Sequence, residues 1–205
     1  MKIGILGAGK IGSTVGRLWR KAGHQLRFGT RHPEKLVALA AELGAGAGTP
    51  EEAVAFAEVV LLAVPLKAVP DLARAARFSE KVVLDAINAY SQRDGKLAED
   101  AIAHAGGSSA WIAEKLAGAR VVKAFNSVNS GTLAPEAHRK GDRVAIPLAG
   151  DDADAMHVAE QLVREAGFEP VALGALAAGE RFQPGTKVYN TGMAAKDVRR
   201  ALGVS

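Results

Sequence analysis

Lys2-Ile3-Gly4-Ile5-Leu6-Gly7-Ala8-Gly9-Lys10-Ile11-Gly12 decides the fold of this 205-residue chain. Its first five residues alternate as a short strand, and the residues after Gly9 carry Ile11, Val15, Leu18, Trp19 and Ala22 at helical spacing over 10–22. A G-x-G-x-x-G between a strand and a helix is the phosphate turn of a dinucleotide-binding βαβ unit. The spacing has a chemical cause. Gly7 permits the tight turn, Gly9 lets a pyrophosphate approach the backbone, and Gly12 lets helix and strand pack closely. The helix start then offers unpaired N–H groups and a positive dipole to phosphates. Ala8, Lys10 and Ile11 are included in this cofactor-binding segment.

Outward from this stretch, β runs and helical patterns alternate, as in a parallel sheet with crossover helices. Strands are expected at 24–28, very briefly at 44–48, and at 59–64, 81–87, 121–125, 143–149 and 169–173. The run Val59–Val64 is apolar throughout, so that strand is covered on both faces. Thr49-Pro50-Glu51-Glu52 supplies an N-cap, a proline at N1 and a capping-box glutamate. Residues 1–205 read as one α/β Rossmann domain, a doubly wound parallel sheet. Residues 174–205 read as a short C-terminal extension that completes a second-substrate cleft.

The end of the second strand selects the dinucleotide. An NAD site places Asp or Glu about 20 residues past the glycines to hold the ribose 2′-OH. Here the strand runs into Gly29-Thr30-Arg31-His32-Pro33-Glu34-Lys35, with no acid at the first positions. Thr30, Arg31 and Lys35 are donors for a 2′-phosphate instead, which points to NADP(H). Beyond the other strand ends lie Ala63-Val64-Pro65, Asp85-Ala86-Ile87-Asn88 and Ala124-Phe125-Asn126-Ser127. Ligands of doubly wound sheets sit there, so Ala63, Val64, Pro65, Asn88, Ala124 and Asn126 join the cofactor-binding set, with Asn126 and Asp85 as catalytic candidates.

Composition excludes several classes. There are no cysteines, so no disulfide, thiolate metal site or thiol nucleophile exists. The five histidines are dispersed and no metal-ligand spacing occurs. The net charge of +4 comes from scattered basic residues, and aromatics are 5%, too few for a base-stacking platform. Nucleic acid and membrane partners are therefore not expected, and the chain reads as a cytoplasmic protein without a signal peptide. Scarce acid–base groups favour a hydride passed between two ring cofactors, which needs mainly alignment and exclusion of water.

The chain resembles the NADPH-dependent reductases of deazaflavin coenzyme F-420 and the related oxidoreductase domain of the STEAP metalloreductases. The resemblance rests on Ile5-Leu6-Gly7-Ala8-Gly9-Lys10-Ile11-Gly12, Gly29-Thr30-Arg31 and Val64-Pro65. It continues through Val121-Val122-Lys123-Ala124-Phe125-Asn126, Ala172-Leu173-Gly174-Ala175-Leu176 and Gly179-Glu180-Arg181. It implies an NADP(H)-dependent oxidoreductase with a flavin or coenzyme F-420 as second substrate, and a homodimer. Two alternatives are an NADPH-dependent imine or carbonyl reductase and a non-catalytic NADP-binding module.

Overall fold

The computed structural model describes residues 1–204; Ser205, the last residue of the expected extension, lies outside the described residues. Strand β1 (Lys2–Leu6), helix α1 (Lys10–Lys21) and strand β2 (Gln25–Gly29) form the first βαβ unit. A 3-10 turn (Pro33–Leu36) leads into α2 (Val37–Leu43), followed by the brief β3 (Gly46–Gly48). Helix α3 (Pro50–Phe56) begins at the expected capping box, with the Thr49 hydroxyl accepting from the Glu52 N–H and the Glu52 carboxylate from the Thr49 N–H. Next come β4 (Val59–Leu62), α4 (Val69–Ala75) and β5 (Val82–Asp85). Three short helices, α5 (Ser91–Asp94), α6 (Lys96–Ala103) and α7 (Gly107–Lys115), precede β6 (Arg120–Lys123). The chain closes with α8 (Leu133–Glu136), β7 (Ala145–Gly150), α9 (Ala153–Glu165), β8 (Glu169–Ala172), a 3-10 segment (Leu176–Phe182) and α10 (Ala195–Leu202).

The strands form one sheet in the order β3-β2-β1-β4-β5-β6-β7-β8. Order reverses between β1 and β4, which creates the crevice where such folds take ligands. One expectation needs correction: β7 pairs antiparallel with β6, and β8 runs parallel to β7. A parallel pair requires a crossover of a dozen or more residues, usually a helix packed back on the sheet. The connection between β6 and β7 is long enough, but its one helix is the four-residue α8, too short to pack back across the sheet, and the chain returns in the opposite direction.

Alternation along the central strands fills both faces. Val59, Leu61, Val82 and Leu84 pack with Val15, Trp19 and Leu162 under α1 and α9. Val60, Leu62 and Val83 pack with Val54, Leu72 and Ile112 under α3, α4 and α7. The Trp19 indole donates to the Leu162 carbonyl at 2.8 Å, which satisfies its one polar atom and ties α1 to α9.

Candidate active site

The three motif glycines differ in what a side chain would meet. Gly7 has φ +97°, and a Cβ there would lie 2.4 Å from the Ala63 carbonyl oxygen. At Gly12 a Cβ would fall 2.0 Å from the Gly7 oxygen, so only glycine lets α1 approach the turn. At Gly9 no heavy atom lies within 4 Å of the added Cβ. Its missing side chain therefore leaves open space above the helix start and serves no packing purpose. No side chain caps α1 and no acid lies in its first turn, so its leading N–H groups face that space without a competing anion. Lys10 begins the helix and is exposed, while Ala8 and Ile11 rest partly on the core.

Two clefts meet here and share Val64 and Pro65. The larger, about 660 Å³, is walled by Gly7, Thr30, Arg31, Thr49, Pro65 and Lys67 among others. Thr30 shapes the turn, its Oγ1 accepting from the His32 N–H at 3.2 Å. Arg31 is exposed and forms no ion pair among the described residues. Lys35, in the 3-10 turn, is exposed and does not line the cleft. Glu51, on the first turn of α3, lines the same cleft and was not anticipated there; the Thr49 hydroxyl holds its carboxyl below the usual range.

The smaller cleft, about 380 Å³, lies past the ends of β4, β5 and β6 and is lined by Ile11, Ala63, Asn88 and Asn126. Asn126 is 3% exposed. Its Nδ2 donates to Asn88 Oδ1 at 3.2 Å and to the Phe182 carbonyl at 3.1 Å. Both partners are acceptors, which fixes the amide orientation and leaves Asn126 Oδ1 buried with no partner. Asn88 Nδ2 in turn donates to the Asn126 carbonyl at 2.8 Å. The preceding Phe125 has φ +61°, a strained value for a bulky residue. Edge contacts with Trp19 at 5.7 Å and Phe168 at 6.5 Å hold its ring while the next residue turns into the cleft.

Asp85 and Ala124 do not line either cleft. Ala124 is a core residue. Asp85 is fully buried, 3.5 Å from the Lys123 ammonium, itself 1% exposed. The Ser109 hydroxyl donates to Asp85 at 2.5 Å, and Lys123 donates to Ser109 Oγ at 2.9 Å and to the Ile87 carbonyl at 3.3 Å. As a catalytic candidate Asp85 is thus corrected to a structural carboxylate, and Lys123 does more than pack its stem. A Cβ at Gly179 would sit 2.7 Å from the Lys123 Cδ, so the late glycine segment closes over this pair.

Tyr90, Arg93 and Tyr189 also line the smaller cleft, and sequence reasoning passed over all three. Their signal was weak, because Tyr90 and Tyr189 lie far apart in the chain outside any motif. The Tyr90 and Tyr189 hydroxyls are hydrogen-bonded, and Asn88 Nδ2 donates to Tyr189 Oη at 3.3 Å. Burial first, and then the Tyr90 hydroxyl, push the Tyr189 phenol well above its ordinary range. The Arg93 guanidinium sits 5.1 Å over the Tyr90 ring and pairs with Asp94 at 2.7 Å. Burial opposes ionisation of Asp94, but Arg93 and the N–H groups of Lys67 and Tyr90 outweigh it and hold its pKa down.

Residues 2–89 match the family model described as NADP oxidoreductase, coenzyme F420-dependent. This bears out the resemblance drawn from the motifs over that part of the chain. Metalloreductase STEAP3 of Rattus norvegicus is 27% identical over 183 residues, which are 89% of this chain and 36% of that protein. The chain therefore spans about a third of the length of that relative. A hypothetical protein, SMa0349 from Sinorhizobium meliloti, superposes with a TM-score of 0.81 at 29% identity, covering 95% of both chains. A putative F420-dependent NADP-reductase from Arthrobacter sp. FB24 shares the fold, with a TM-score of 0.73 at 20% identity over 100% of this chain and 96% of that one.

Proposed function

Taking residues 2–89 as those of an NADP-dependent oxidoreductase, we propose that this protein passes a hydride between NADPH and a flavin- or deazaflavin-type acceptor. The observation that carries the reading is the buried, unpartnered Oδ1 of Asn126, a residue lining the smaller cleft, which is joined through Val64 and Pro65 to a cleft bearing Arg31. An orphaned acceptor of this kind costs about 1–3 kcal/mol unless a ligand donor reaches it, and the amide of a nicotinamide is such a donor. The leading N–H groups of α1 would hold the pyrophosphate, and Thr30 and Arg31 a 2′-phosphate. When bound, NADPH supplies the hydride from its nicotinamide ring. The chain's part is alignment: Asn126 and Asn88 clasp each other across the strand ends, and Ile11, Val64 and Pro65 exclude water from one side.

Steady-state oxidation of NADPH with riboflavin and with a deazaflavin, against a cyclic imine as competitor, tests the reading. Turnover of the imine alone would favour the imine-reductase alternative. Tight NADPH binding without turnover of any acceptor would favour a non-catalytic module. The family reading also carries a cytoplasmic homodimer, checked by light scattering and by fractionation of the host.

A further inference from the structure

Tyr90 and Tyr189 are the only tyrosines in the chain. Tyr90 follows β5 and Tyr189 belongs to the C-terminal segment, yet their hydroxyls meet at the wall of the smaller cleft. The C-terminal segment is held there by the Asn190 N–H, which donates to the Ser127 carbonyl at 2.7 Å. Tyr189 Oη accepts from Asn88 Nδ2, the same amide that clasps Asn126. The bond between the two hydroxyls can run in either direction, and when Tyr90 donates it Tyr189 Oη accepts twice and keeps its own hydrogen for a third partner. The cleft is where that partner would sit. Arg93, stacked on the Tyr90 ring, and Asp94 paired to it are the charged groups facing this pair among the described residues.

Resting on the hydride-transfer reading, we propose that Tyr189 is the proton donor of the reaction, delivering its hydroxyl proton to the acceptor while Tyr90 resupplies it. The acceptor gains the hydride at one atom and the Tyr189 proton at a conjugated heteroatom, and leaves as the two-electron-reduced dihydro form. The electrons come from the reduced nicotinamide, which is oxidised. The tyrosinate takes a proton from Tyr90, and Tyr90 takes one from water. The hydrogen bond donated by Asn88 Nδ2 to Tyr189 Oη stabilises the tyrosinate during that step. This sets the class of acceptor: a conjugated ring or imine that takes up hydride and proton together, as opposed to a metal ion or another one-electron acceptor.

Because no other tyrosine absorbs, the pair can be titrated without turnover. The full chain and its Tyr189→Phe and Tyr90→Phe variants would be compared by tyrosinate absorbance over about pH 8 to 12, NADPH Kd, and kcat with riboflavin. Tyr189→Phe should lower kcat about a hundredfold, within the usual range for loss of a general acid, with NADPH Kd changed less than about twofold. In Tyr90→Phe the Tyr189 ionisation should move down, and kcat should fall with rising pH on the same curve as the absorbance. That coincidence is not expected of a merely structural hydroxyl. A Tyr189→Phe enzyme within about threefold of wild-type kcat, or a Tyr90→Phe kcat that does not follow the tyrosinate, overturns the assignment. A wild type that binds NADPH but reduces no riboflavin overturns the hydride-transfer reading and the tyrosine's role with it.

Discussion

At Gly9 a Cβ would meet open space and at Gly12 the Gly7 carbonyl oxygen, and substitutions separate a proposed ligand role from a packing one. A Cβ at Gly9 meets no protein atom, so Gly9→Val should melt within about 1 kcal/mol of wild type, the usual range for a surface change, while NADPH binding is lost. Gly12→Ala forces a Cβ against the Gly7 carbonyl and should destabilise by about 1–3 kcal/mol through displacement of α1. Thermal melts with NADPH titrations check both. Arg31 is the other residue to which the proposed function gives a ligand contact. A charge-assisted contact is worth about 1.5–3 kcal/mol, so Arg31→Ala should weaken NADPH roughly ten- to hundredfold and leave NADH nearly unchanged. Equal losses for both cofactors would remove Arg31 from the 2′-phosphate.

Helix α5 is a single turn, and what holds it is Asp94. That side chain is fully buried, bonds Arg93, and accepts weakly from the N–H groups of Lys67 and Tyr90, so it pins the loop after β5 to the turn that precedes α4. Its pKa is lowered in the folded protein, so its stabilisation is present above the ordinary carboxylate value of 3.8 and is lost as pH falls through the lowered one. Asp94→Asn should therefore cost about 1–3 kcal/mol at neutral pH, and the gap in Tm between variant and wild type should close as the solution is acidified below that value. A gap that persists unchanged into strong acid would mean that the carboxylate's charge contributes nothing. Riboflavin KM should rise in the variant at neutral pH, because Tyr90 and Arg93 lose their anchor.

Across the whole molecule, the Asp85–Lys123 pair joins β5, β6 and, through Ser109, α7 at a place no solvent reaches. Removing one buried partner strands the other charge, so Lys123→Met should destabilise by about 3–5 kcal/mol. The double variant Lys123→Met/Asp85→Leu should recover much of that loss, since an apolar replacement of similar volume is often neutral. Denaturant unfolding of the two singles and the double closes the cycle. Asp85→Asn should lower stability and NADPH affinity together through the Ile87–Asn88 turn. A kcat loss of more than about 10³ with stability and binding intact would return Asp85 to the chemistry.

The sequence by itself determined what local physics dictates. The strand–glycine–helix stretch at 2–22, the capping box at 49–52 and the unbroken apolar run from Val59 all encode their conformation within a few neighbours, and the structure carries each of them. Backbone sterics and hydrophobic period act over one turn or one strand, so a reader of the chain has the whole cause in view. The ligand space at Gly9 was legible for the same reason. Tertiary structure alone decided the rest. The direction of β7 depends on a return loop with no crossover helix. The meeting of Tyr90 with Tyr189, and of Asp85 with Ser109 and Lys123, depends on which strand ends and loops the sheet order brings side by side. A tyrosine or a buried lysine has no periodicity of its own. Its role is set by partners that the chain places tens of residues away.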